Sequence, residues 1–284
     1  MGNTISILAN TSRGEKVIVE RTSHLYSNEN GSWMILGDLY PVTIQGNNGY
    51  MNPHDIEAEI KTSTKNKPSL ICIENTHNNA GGIVMIISQM KETWDLAQTY
   101  GIKIHCDGAR IFNAAIYLGK EVKELCQYTD SIMFCISKGL SAPVGSLVCG
   151  SKEFIEQARF YRKLLGGTMR QAGIIAAPGI ISLTNMVERL KEDHENAALL
   201  ARGLEQIPGI RLRNQVQTNI IYVDLSELDI TGDEYRNRML NHGIRTGGGK
   251  LPEARLVTHR GITKEKVLEV IESTRKVVSD LEGE

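Results

Sequence analysis

Lys138 follows a continuous apolar run, residues 131–136, and is itself followed by Gly139. An ammonium at the C-terminal end of a buried strand is an unusual placement. Burial disfavours the charged form and leaves a nucleophilic amine. The chemistry that uses such an amine is imine formation with a carbonyl, above all that of pyridoxal phosphate (PLP). A lysine that only snorkels to water from a strand end gives the same local pattern. The rest of the chain decides between the two. PLP needs an acid facing its pyridine nitrogen, a planar group over its ring, donors for its phosphate, and an arginine for the carboxylate of an amino-acid substrate. Asp107 ends another apolar run, one helix and a loop before Lys138, which is the length of a βαβ unit. Both side chains can then meet at one edge of a sheet. His24 ends an earlier strand and can stack on a ring, Arg110 lies one turn beyond Asp107, Arg170 follows the Gly166-Gly167 loop suited to anions, and Arg255 opens a late strand. Taken singly, Asp107 reads equally as a helix N-cap, His24 and His77 as hydrogen-bonded structural histidines, and Arg170 and Arg255 as surface charges. The set is much more specific than any member.

The elements that must position these residues follow from hydrophobic period and punctuation. A helix over residues 3–12 precedes a strand over 16–20, the His24 segment, a Gly-containing segment and a strand over 40–44. Asn52-Pro53-His54-Asp55 starts a helix that carries Ile56 and Ile60 on one face. Strands over 69–73, 102–106 and 131–136 then alternate with helices over 87–100 and 110–117, and a second apolar strand covers 144–149. Strands apolar throughout, alternating with helices, predict an α/β fold whose mostly parallel sheet is covered on both faces. Polar residues gather at the C-terminal strand ends, where open α/β sheets bind ligands.

A basic helix over 153–162, an apolar helix with Gly173 and Gly179, and a long charged helix over 186–205 come next. After Pro208-Gly209 the character changes to strand 219–224, helix 234–241, strand 255–258 and helix 264–281, a small α+β unit. The expected organisation is a large domain over 1–190 and a small C-terminal domain over 191–284.

The 284 residues are 41% hydrophobic and 23% charged with net charge -1, an ordinary globular composition that gives no reason to expect nucleic acid as partner. No apolar stretch reaches the roughly 18 residues of a membrane span, and the N-terminus lacks the basic start and apolar core of a signal peptide. The five cysteines have no CxxC spacing and four sit in apolar runs. They read as reduced thiols of a cytoplasmic protein, with no metal site. Gly2 before Thr4 and Ser6 loosely fits a myristoylation pattern.

The segments 105–113 (His-Cys-Asp-Gly-Ala-Arg-Ile-Phe-Asn), 137–146 (Ser-Lys-Gly-Leu-Ser-Ala-Pro-Val-Gly-Ser) and 166–173 (Gly-Gly-Thr-Met-Arg-Gln-Ala-Gly) resemble those of the low-specificity L-threonine aldolases. So do 74–78 (Glu-Asn-Thr-His-Asn), 23–26 (Ser-His-Leu-Tyr) and 255–259 (Arg-Leu-Val-Thr-His), in order along nearly the whole chain. The resemblance implies the aspartate-aminotransferase-like fold of PLP enzymes (fold type I) and a homo-oligomer, commonly a tetramer. It makes Lys138 the lysine that joins PLP, Asp107 the partner of the pyridine nitrogen and His24 the ring-stacking residue. Arg110 then lies near the phenolic oxygen, Arg170 contacts phosphate or substrate, and Arg255 pairs with the substrate carboxylate.

By the same resemblance Met1-Gly2-Asn3 matches the end of the family's phosphate-binding segment, which discounts the myristoylation reading of Gly2. The preceding Gly-Thr donors would lie just before Met1, so weaker PLP retention and a less stable oligomer than in a full-length relative are expected. The implied reaction is retro-aldol cleavage of L-threonine or L-allo-threonine to glycine and acetaldehyde. His24 is the first choice for the base, directly or through water, and His77 the second. Rival readings are β-elimination on a β-substituted amino acid, and a catalytically silent subunit.

Overall fold

Five of the apolar runs become parallel strands: β1 (Lys16–Glu20), β2 (Tyr40–Ile44), β3 (Pro68–Glu74), β4 (Lys103–Asp107) and β5 (Ser131–Cys135). β6 (Ser146–Gly150) joins them antiparallel to β5, and the sheet order is β2-β1-β3-β4-β5-β6. The computed structural model describes residues 1–63 and 66–283, without the side chain of Glu282. The chain forms two compact units, Met1–Ala80 with Val84–Val187, and Gly81–Ile83 with Glu188–Glu284.

Alternation along the central strands separates two cores. Ile18, Ile71, Ile73 and Ile104 face one side, packed by Ile56 and Ile60 of α4 (Pro53–Thr62), Met90 and Ala97 of α5 (Ile87–Tyr100), Ile111 and Ala114 of α6 (Ile111–Leu118), and Leu125 of α7 (Val122–Cys126). Val17, Val19, Leu70 and Cys72 face the other, against Ile7 and Leu8 of α1 (Gly2–Asn10), Leu25 of α2 (His24–Ser27) and Trp33 of α3 (Ser32–Gly37). Strands buried on both faces explain runs that are apolar without alternation. Asn52 caps α4 as its position predicts, its side chain accepting from the His54 N–H.

Three features differ from the sequence-based expectation. β6 is apolar yet mostly exposed, because as the edge strand it has a neighbour on one side only. The apolar helix α9 (Gly173–Asn185), which follows α8 (Lys152–Leu164), buries only Gly179 and Ser182, leaving Ile174, Ile180 and Ile181 at 75%, 64% and 59% exposure. The helix expected from 186 begins instead at Leu190, as α10 (Leu190–Leu204).

The second unit is a three-stranded antiparallel sheet, β7 (Arg211–Leu212), β8 (Ile220–Asp224) and β9 (Glu253–Val257), with α10, α11 (Gly232–Asn241) and α12 (Lys264–Gly283). Its core holds Leu200, Leu204, Ile221, Val223, Tyr235, Met239, Leu256 and Val267. The strand β7 and the short helix α7 escape a sequence reading because two to five residues carry too little periodicity.

Candidate active site

The C-terminal ends of three adjacent parallel strands carry buried carboxylates, Glu20 on β1, Glu74 on β3 and Asp107 on β4. Register places Glu74 directly opposite Asp107. The backbone beyond these ends is tied down locally: Gly108 N–H donates to Met133 O (2.8 Å) and Asn75 N–H to Asp107 O (2.9 Å). The two oxygens of Glu74 accept from His24 N–H (2.7 Å) and Asn78 N–H (2.8 Å), so one carboxylate anchors both the start of α2 and the loop after β3.

Asp107 is 1% exposed. Its Oδ1 accepts from Ala109 N–H (3.1 Å) and its Oδ2 from the Asn3 side-chain amide (2.9 Å). Burial, with the charges of Glu74 and Glu29, pushes the carboxyl up to about 7, while Lys138 pulls it down. Asp107 is therefore not the N-cap of α6; that position belongs to Arg110.

His24 begins α2 rather than ending a strand, because the chain leaves β1 at Glu20 and turns. Its ring is half-exposed, with Nδ1 3.2 Å from Glu29 Oε1. One ligand atom each from His24, Glu29 and Asp107 lies within 4.8 Å of the other two. The hydrogen bond to Glu29 raises the His24 pKa; burial opposes this, and Asp107 adds to the rise. Burial would raise Glu29, but hydrogen bonds from His24 and Asn3 hold it below its ordinary value.

His77 is enclosed, with both ring nitrogens engaged. Nδ1 accepts from Ala80 N–H (3.1 Å), so Nε2 carries the proton toward Glu20 Oε2 (3.1 Å), with Glu74 Oε2 at 3.8 Å. A ring 2% exposed and held this way is a structural element of the site floor, not a base open to substrate. The two carboxylates raise the His77 pKa against the effect of burial. Arg110 reaches the same loop through Asn78, Nη1 donating to Oδ1 at 3.1 Å.

Lys138 does not fit the expectation of a buried amine. β5 ends at Cys135, and the turn closed by Ser141 N–H to Lys138 O (2.9 Å) carries the side chain into an exposed position, within electrostatic reach of Asp107. Gly2 is buried at the start of α1, where an added Cβ would meet Met133 Cγ at 2.5 Å. A cavity of about 570 Å³ adjoins it, lined among others by Gly2, Ser146, Arg159, Arg162 and Gly167. Arg170 is exposed in the turn before α9. Arg255 lies on β9, paired with Tyr222 of β8 in the second unit. The structure thus gathers His24, Asp107, His77 and Arg110 at one sheet edge with Lys138 in reach.

Sequence reasoning gave no role to Asn3, Glu20, Glu29 or His105. The strand-end positions of Glu20 and Glu74, and the family-like segments that contain Asn3, Glu74 and His105, are the signals in the sequence that touch this network.

PLP chemistry fits the donor set. An acid whose pKa is raised by burial and then by carboxylate neighbours is a receptor for a cation such as a protonated pyridine nitrogen, and a half-exposed histidine and a reachable lysine stand beside it. The fold is the aspartate-aminotransferase-like fold type I, shared with solved aminotransferases and aldolases, and the site belongs to a lyase of that class. Residues 1–226 match the β-eliminating lyase family. Low-specificity L-threonine aldolase 1 of Arabidopsis thaliana is 39% identical over 275 residues, covering 94% of this chain and 77% of the relative. The low specificity L-threonine aldolase of Escherichia coli K12 is 38% identical over 280 residues, covering 94% and 79%. The solved threonine aldolase of Leishmania major superposes with a TM-score of 0.80 at 20% identity, covering 97% of this chain and 81% of its own. The chain belongs to the β-eliminating lyase family and, within it, to the low-specificity L-threonine aldolases.

Proposed function

We propose that this chain is a PLP-dependent aldolase that cleaves L-threonine and L-allo-threonine to glycine and acetaldehyde. The observation that carries the reading is relatedness to L-threonine aldolases over 94% of the chain. The Asp107–His24 cluster with Lys138 in reach supports it.

Lys138, Asp107, His24 and Arg110 would hold the cofactor's carbonyl, ring nitrogen, ring face and phenolic oxygen. Gly2 at the α1 N-terminus and Arg170 would serve its phosphate. Bound PLP supplies an electron-accepting ring for the charge released when Cα–Cβ breaks. Asp107 as carboxylate keeps the ring nitrogen protonated. His24, oriented by Glu29 at Nδ1, takes the β-hydroxyl proton at Nε2, directly or through a water. Arg255 is assigned to the substrate carboxylate on the family resemblance alone. Lys138, exposed beside Asp107, would supply the amine that joins the cofactor.

A homo-oligomer, dimer or tetramer, is part of the same reading, supported by exposed Phe160, Leu164, Ile174, Ile180 and Ile181 on α8 and α9. So is a cytoplasmic location: Cys72, Cys106, Cys126, Cys135 and Cys149 are all free thiols. Among the described residues no helix is long and apolar enough to cross a membrane. The breadth of the matched family makes β-elimination the second reading. Assay of L-threonine, L-allo-threonine and β-substituted amino acids with PLP-loaded protein separates the two: acetaldehyde and glycine support the proposal, while a keto acid with ammonia and no glycine would replace it.

A further inference from the structure

Behind Asp107 one chain of hydrogen bonds runs from half-buried Asn10 through buried Ser131, His105 and Asn3 to half-buried Glu29. The Asn10 amide donates to Ser131 Oγ (2.8 Å) and to Ser6 O (3.0 Å). Ser131 Oγ lies 3.0 Å from His105 Nδ1, and His105 Nε2 lies 3.3 Å from Asn3 Oδ1. The Asn3 amide nitrogen is 2.9 Å from Asp107 Oδ2 and 2.7 Å from Glu29 Oε1.

One set of directions satisfies every side-chain partner, and the Ser131 backbone, whose hydrogen bond with the ring raises the His105 pKa, competes with that set. An Asn3 rotated by half a turn would set its carbonyl oxygen against two carboxylates, so its two N–H groups point to Asp107 and Glu29. Its Oδ1 must then accept, which places a proton on His105 Nε2. His105 is fully buried, and burial pushes its pKa down to about 4, so the ring is neutral and Nδ1 has no proton. Nδ1 therefore accepts from the Ser131 hydroxyl, whose oxygen is free to accept from Asn10. Aligned bonds of this kind polarise one another and strengthen the last donors in the series.

We propose that Asn3 is a positioning residue for this active site. Its amide, fixed in orientation by the Nε2–H tautomer of His105, ties Asp107 and Glu29 into one arrangement and favours the ionised form of Asp107. Glu29 in turn orients His24, so a single amide couples the acid assigned to the cofactor's ring nitrogen with the group assigned as base. The titratable groups facing Asp107 include Glu74 and Cys72 from β3, His77 after β3, Cys106 from β4, Glu29 before α3, His24 from α2 and Lys138 after β5. Only Asn3 and Ala109 donate hydrogen bonds to its oxygens among the described contacts. The inference deepens the PLP reading and rests on it for the catalytic consequence.

The test is nitrogen NMR of His105 and carboxyl-carbon NMR of Asp107 in the full chain, free and PLP-loaded, with Asn3→Ala, His105→Leu and His105→Gln. A neutral His105 protonated at Nε2 is expected. In Asn3→Ala, Asp107 titrates at higher pH and PLP affinity falls about tenfold, the scale of one hydrogen bond to a charged group. His105→Leu shifts Asp107 in the same direction, and His105→Gln, which can still donate to Asn3, restores it. An Nδ1–H tautomer, an imidazolium, or an Asp107 titration unmoved in Asn3→Ala would overturn the proposal. The native-chain tautomer decides on its own if a variant does not fold. A native chain that binds no PLP contradicts the function proposed above, while the tautomer and the Asp107 titration stay readable in the free protein.

Discussion

His77 Nε2 lies 3.1 Å from Glu20 Oε2, and both side chains are sealed from solvent, at 2% and 3% exposure. Burial raises the Glu20 pKa, but hydrogen bonds from His77, Thr22 and Gly46 outweigh it and bring it down to about 2 from an ordinary 4.5. A carboxylate with a depressed folded pKa contributes stability that is present above pH 4.5 and is lost as pH falls toward 2. The difference is worth on the order of 3 kcal/mol. His77 has a raised pKa, so its contribution is present below its unfolded value and fades as pH rises through the folded one. Urea unfolding of Glu20→Gln between pH 2 and 5 is expected to show a shallower acid-side slope than the native chain, by the share that Glu20 contributes; an unchanged slope contradicts the account.

Gly49 stands against the same histidine. Its φ is +85°, and an added Cβ would sit 2.3 Å from His77 Cγ. Neither the backbone conformation nor the space admits a side chain. Gly49→Ala is expected to cost about 1–3 kcal/mol in urea unfolding and to shift the His77 ring resonances. Native stability with unmoved resonances would show that the ring yields without cost.

The base role proposed for His24 predicts the acid limb of activity. A base must be unprotonated, and Glu29 raises the His24 pKa above its ordinary 6.5. In PLP-loaded protein kcat/KM for L-threonine is therefore expected to fall as pH drops through a value above 6.5. Glu29→Gln removes the carboxylate and moves that limb to lower pH. A limb at the same pH in both proteins means that another group controls it.

The exposed apolar residues of α8 and α9 give a separate test. Ile174→Asp with Ile180→Asp is expected to convert an oligomer to monomer in sedimentation velocity, because charge at the centre of an apolar interface is strongly disfavoured. The same sedimentation coefficient in the native and doubly substituted chains would place any interface elsewhere.

The main strands were legible because their burial on both faces leaves unbroken apolar runs such as 69–73, and Asp107 was legible because it terminates one. The two-sided exposure of β6 was not, since Leu147 and Val148 carry the same apolar signal at an edge as in the middle. Lys138 stands out by type and position, but its expected burial is not met: the turn from Ile136 to Ser141 carries it to an exposed position. The Asn3–His105–Asp107 network joins α1 to β4 across a hundred residues of sequence, and no local period encodes that contact. Glu20 and Glu74 show how a charged residue at a strand end can serve neighbouring loops instead of a ligand: their oxygens are committed to Thr22, Gly46, His24 and Asn78.

The most direct measurement is threonine cleavage by the PLP-loaded chain beside Lys138→Ala, followed together with visible absorbance. The account predicts that the native chain releases acetaldehyde and glycine from L-threonine and L-allo-threonine and shows an absorbance band at the violet edge of the visible. Lys138→Ala should lack both. Turnover that survives Lys138→Ala, or a native chain that takes up PLP with that band yet cleaves neither substrate, would contradict it.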